Sequence, residues 1–307
     1  APGDVSVDTQ VNNASGTVGN VTITSAGGNV SITSFGSVFS NGAITVNAAG
    51  NISIQGNLSN TSSSGTPAIS VITTVGTLST SGSGLISSKG NITLSAPGDV
   101  SVGAPVSNFT GSGTTTITSS GGSINGNGTI TANVLDLNAA TDIGDTTALN
   151  TAASSLSADT TGGAIDINNA KSTTTTVTSL TTGQANITLD QTGGGALNFT
   201  GPVTLDGTAG HDILVTCTAG VTVASAFSTS GGSGGMLYLQ GVVLNTGAAF
   251  TLGAGNITIN GSGDDLVINT DLTITGQTDL TANCDILINS NLTVTGGDVT
   301  LIADLDD

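Results

Sequence analysis

The chain has 307 residues and a net charge of −18, yet only 7% of it is charged: 20 acidic residues, all Asp, against two Lys (Lys89, Lys171). Average globular proteins carry roughly 25% charge. Two cations cannot neutralise a row of phosphates or hold an anionic membrane surface, and no run approaches the roughly 18–20 apolar residues of a membrane span, so nucleic-acid binding and membrane insertion are excluded.

With 36% apolar residues the chain has something to bury, and Arg, Glu and Trp are missing while Gly, Ser, Thr, Asn, Val and Ile dominate. That is strand-and-turn composition. Taken in chain order, the predicted strands share one motif: Gly, then Asn or Asp, then apolar–hydroxyl–apolar. It reads Gly3-Asp-Val-Ser-Val7, Gly19-Asn-Val-Thr-Ile23, Gly28-Asn-Val-Ser-Ile32 and Gly50-Asn-Ile-Ser-Ile54. It returns as Gly90-Asn-Ile-Thr-Leu94, Gly98-Asp-Val-Ser-Val102, Gly255-Asn-Ile-Thr-Ile259 and Gly297-Asp-Val-Thr-Leu301. Period-2 alternation predicts short strands with one buried face. The Gly-Asn or Gly-Asp pair is expected to supply the left-handed backbone of a tight corner.

The copies are spaced. The heptapeptide APGDVSV occurs at residues 1–7 and again at 96–102, and Ala43–Ile54 aligns without gaps onto Asn91–Val102, 48 residues later. The middle keeps step: Ile165 to Ile187 is 22 residues, Ile213 to Leu237 is 24, and Leu237 to Ile257 is 20. Leu266–Gly276 lies over Ile286–Gly296 at an offset of 20. Such periods predict an all-β fold, a parallel β-solenoid of about 20–25 residues per coil running through 1–307. The two heptapeptides then occupy equivalent places four coils apart. Residue 1 reads as the middle of a coil, and neither terminus reads as a cap. The expectation is a slice of a longer solenoid or a subunit whose ends neighbours cover.

Candidate chemistry is sparse. The outstanding Thr tracts, Thr114–Thr118 and Ser172–Thr178, do not recur at one spacing, and strand propensity accounts for them; ice binding is the lesser alternative they raise. Asp142 and Asp145 are a carboxylate pair of the kind glycoside hydrolysis uses, with no clamp nearby, and no enzyme is expected. No catalytic, cofactor or metal residue is assigned. His211 lacks a ligand partner at suitable spacing and reads as a solvent-facing turn residue. Cys217 and Cys284 share parity with buried positions but lie 67 residues apart, about three coils, too far for a disulfide; both read as small core residues. Gly261–Val267 fits a calcium-binding nonapeptide loosely, with Asp264 or Asp265 as the ligand; an Asp-Gly turn is the plainer reading. The sequons at Asn20, Asn51, Asn91, Asn186 and Asn256 follow from the repeat itself, which favours structural Asn over glycan sites.

The Gly-Asn-Ile-Thr-Leu and Gly-Asp-Val-Ser-Val strands, in repeats free of Arg, Glu and Trp, resemble the filamentous-haemagglutinin and autotransporter-like exoproteins of bacteria, best over 1–105 and 255–302. That resemblance implies a right-handed β-helix, secreted or displayed on the cell surface, used in adhesion, biofilm or filaments. The expected role is a structural extracellular solenoid that stacks or self-assembles end to end into a fibre, filament or matrix. The alternative is an adhesin binding carbohydrate, surface polysaccharide or a host; it needs aromatic platforms, for which Tyr238 near Met236 is the best candidate.

Overall fold

A computed structural model describes the chain except residues 1–2, 15–17, 61, 63–67, 109–112, 207–210, 224–226, 231–234, 243–249, 262–265, 269–270, 276, 283–284 and 304–307. The described residues form strands and turns, with no helix among them. The chain divides into two compact units, residues 1–153 and 154–307, and each is a stack of parallel β-solenoid coils.

In the first unit each coil has three strands. A short face holds Val5–Val7, Val30–Ile32, Ile52–Ile54, Leu78–Thr80, Val100–Val102 and Ile124–Asn125, hydrogen-bonded in that order as one parallel sheet. A middle face stacks Gln10–Asn13, Ser37–Ser40, Asn57–Asn60, Ile86–Ser87 and Val106–Ser107, then residues 130–131 of Ile130–Ala139. A long face stacks Val21–Ser25, Ile44–Ala48, Ile69–Thr73, Ile92–Ala96 and Thr114–Ser119, then residues 134–139. The strands hold register while connections absorb the differences in coil length: eight residues separate Asn60 from Ile69, and four separate Ser87 from Ile92.

The register answers the spacing questions. Val5 pairs with Val30, Val30 with Ile52, Ile52 with Leu78 and Leu78 with Val100, so the two heptapeptide copies sit four coils apart. The 48-residue repeat is two coils, since Ile44 pairs with Ile69 and Ile69 with Ile92.

The second unit keeps the pattern. Ile165–Asn169, Ile187–Gln191 and the start of Ile213–Val223 pair in register, followed by Leu237, Ile257 and Thr278. Leu266 pairs with Ile286 and Leu272 with Leu292, the 20-residue offset.

Alternation builds the core. In Ile44–Ala48, Ile44 and Val46 are fully buried while Thr45 and Asn47 face outward. Stacking repeats this column by column, as in Ile44, Ile69 and Ile92, each with no exposed surface. Burying one such aliphatic side chain contributes about 1.5–3 kcal/mol. In the second unit Phe199 fills the same role, fully buried and aligned with Val177 and Val223.

One expectation needs correction. The motif glycines do not have left-handed backbones; among the described residues that conformation belongs to Gly82, Gly126, Gly144, Gly194 and Gly296. At Gly28 and Gly50, and at the equivalent corner glycines Gly76 and Gly122, glycine is required instead because the neighbouring coil approaches closely. A Cβ on Gly50 would lie 2.5 Å from Asn29 Oδ1, one on Gly76 2.2 Å from Asn51 Oδ1, and one on Gly122 2.3 Å from Asp99 Oδ1.

Candidate functional site

The corners explain why Asn or Asp follows that glycine. Asp4 Oδ1 accepts from the Asn29 N–H at 2.7 Å, Asn29 Oδ1 from Asn51 N–H at 2.8 Å, and Asn51 Oδ1 from Thr77 N–H at 2.9 Å. Asp99 Oδ1 accepts from Ser123 N–H at 2.9 Å. The same bond recurs at other corners, from Ala43 to Asn20, Thr114 to Asn91, and Asp212 to Asn186. Only an acceptor oxygen is needed, so Asn and Asp interchange. The sequon asparagines Asn20, Asn51, Asn91 and Asn186 therefore stitch coil to coil.

A second device sits at the end of the long face, where the inward column reads Ser25, Ala48, Thr73, Ala96, Ser119, Ala139. Where a hydroxyl is present it bridges the corner. Ser25 Oγ donates to Gly3 O at 2.9 Å and accepts from Gly28 N–H at 3.0 Å; Thr73 Oγ1 donates to Gly50 O and accepts from Gly76 N–H at 3.1 Å. Where Ala stands, the glycines bond directly: Gly50 N–H to Gly28 O at 2.8 Å, and Gly98 N–H to Gly76 O at 3.1 Å. The corner thus alternates with a two-coil period, in step with the 48-residue repeat.

The outward positions carry aligned hydroxyls. On the short face Ser6, Ser31, Ser53, Ser79 and Ser101 lie in one register column. On the long face the column is Thr22, Thr45, Ser70, Thr93 and Thr116. The sequence reading missed this second column because it followed contiguous Thr tracts. The signal was present in the motif: copies with Ser at its hydroxyl position build the short face, and Gly19-Asn-Val-Thr and Gly90-Asn-Ile-Thr build the long one.

The predicted residues are dispersed. Asp142 and Asp145 flank Ile143 in one corner, with Asp145 N–H bonded to Asn125 Oδ1 at 2.9 Å. His211 is half-buried in the connection before Ile213–Val223. Cys217 is buried in register with Gln191, as expected of a core thiol, and its Sγ also donates to Gly195 O at 3.4 Å. Asn169, paired with Gln191, donates to Gln191 Oε1 at 2.8 Å, and Gln191 donates to Lys171 O at 2.9 Å. Gln191 thus satisfies a backbone oxygen, as Ser and Thr do at the corners of the first unit, while Asn169 donates to the side chains of Gln191 and Thr175.

Tyr238 and Met236 lie in Gly235–Val242, with Tyr238 paired to Leu214 and Thr258; their side chains lie outside the described set. Cys284, Asp264 and Asp265 lie outside the described residues.

The electrostatic feature of the second unit is Asp166, whose carboxyl is held above the usual carboxylate range by burial and by the charge of Asp190. Asp190 itself accepts from Thr216 Oγ1 in the next coil. Among the described residues no group of three or more His, Cys, Asp or Glu is placed to hold a metal ion. Comparison with family models, with characterised proteins and with solved structures gives no match to any of them.

Proposed function

We propose that the chain is a structural β-solenoid of a bacterial surface, working outside the cell as part of a fibre, filament or matrix, of the filamentous-haemagglutinin and autotransporter-like kind. It acts by stacking and self-association rather than by catalysis, with surface polysaccharide or other matrix proteins as further partners. One observation carries this reading: within each unit, described coils are tied to their neighbours by backbone ladders and, at many corners, by Asx-to-backbone bonds, as between Asn29 and Asn51. Cohesion is therefore distributed along the coils, as a load-bearing element needs. Negative-stain microscopy and sedimentation of the purified chain over a range of concentrations test it. Unbranched fibres that lengthen with concentration are expected; isolated particles sedimenting as monomers at every concentration would contradict it.

A further inference from the structure

We propose that the long face of the first unit is an ice-binding surface. The face carries two outward columns. The inner one is Thr22, Thr45, Ser70, Thr93 and Thr116; the outer one is Thr24, Asn47, Ile72, Ser95 and Thr118. All five strands pair without a register shift, so neighbouring positions repeat at about 4.8 Å between coils and about 6.7 Å along a strand. The result is a two-dimensional grid of hydroxyl, amide and methyl groups.

Three further observations favour solid water over another ligand. First, the two columns carry no charged residue through these five coils, although the chain holds 20 Asp; the first charge in the inner column is Asp136, paired with Thr116. Ions are excluded from ice, so an uncharged face on an anionic protein matches an uncharged lattice. Second, the inner column is open to solvent: Thr22 is exposed and Thr45, Ser70, Thr93 and Thr116 are half-buried, within reach of water. Third, the short face offers a contrast: its strands are three residues long and present a single serine column, a line rather than a grid. Ordered water bridging such hydroxyls costs little entropy when the groups are already fixed by the sheet. The inference is independent of the fibre reading, since it needs only this face.

The test grows ice slowly in a dilute solution of the whole chain and measures protein in the ice and liquid fractions by amino-acid analysis. Wild type is expected to be enriched in ice at least ten-fold over an inert acidic protein. Thr93→Tyr and Thr45→Lys, placed in different coils of the face, should fall to the level of the inert protein. Ser79→Tyr on the short face should partition like wild type, with strand content checked for each by circular dichroism. Exclusion of wild type from ice would overturn the proposal. So would face variants that keep their fold and partition like wild type, or a Ser79→Tyr loss equal to that of Thr93→Tyr.

Discussion

Gly50 and Asn29 depend on each other across 21 residues of sequence, because the Asn29 amide oxygen occupies the space a Gly50 side chain would take. Gly50→Ala should destabilise the protein by about 1–3 kcal/mol through overpacking. Asn29→Ala should cost about 1 kcal/mol by removing the acceptor of the Asn51 N–H. The double variant should cost clearly less than the sum, since removing the amide relieves the clash; urea denaturation of the four proteins reads this coupling. Buried hydroxyls divide in a similar way. Thr115 is fully buried with no partner for Oγ1, whereas Thr73 bonds Gly50 O and Gly76 N–H. Thr115→Val should stabilise by about 1 kcal/mol and Thr73→Val should destabilise by at least as much, read as shifts of the denaturation midpoint in opposite directions. Asp166 sets a pH effect. Its carboxyl titrates above the usual range because of burial and Asp190, so the folded state binds that proton more tightly than the unfolded chain. Its contribution to stability is present below the ordinary carboxylate range and is lost as pH rises through the raised value. Asp166→Asn should therefore raise stability at pH 7 and flatten the pH dependence of the denaturation midpoint.

Strands and their stacking were legible in the alternation and the periods, which is why the equivalence of the two APGDVSV copies follows from sequence alone. Two things were not. The Gly-Asx motif looks local, but at Gly28 and Gly50 the glycine is fixed by a side chain one coil away; local sequence suggests a left-handed corner, whereas contact between coils decides there. The motif copies also looked like one family, yet Ser and Thr at the same motif position mark different faces. Three-residue strands such as Ile52–Ile54 carry Ser, and five-residue strands such as Ile92–Ala96 carry the β-branched Thr that suits a broader sheet. The Thr column was hidden not by its spacing, since Thr22, Thr45, Ser70, Thr93 and Thr116 are separated by 23, 25, 23 and 23 residues, but by the contiguous Thr tracts, which do not follow that period. No functional group in the sequence marked Asp166 and Asp190, which register alone brings to adjacent coils.

For the molecule as a whole, the same repetition predicts durability. Trypsin has only Lys89 and Lys171 to cut after, and both lie outside strands, so digestion should stop at large fragments that stay folded; rapid conversion to small peptides would count against the coil stack. The central claim is the coil register itself, and spin labels read it directly. Labels at Ser6→Cys and Ser101→Cys, in a background of Cys217→Ser and Cys284→Ser, stand on serines of the two heptapeptide copies. The register places them four coils apart, a separation of about 19 Å at the strand spacing. A single narrow distance near that value is the predicted result of double electron–electron resonance; a broad distribution, or one centred well beyond 30 Å by the same spacing, would contradict it.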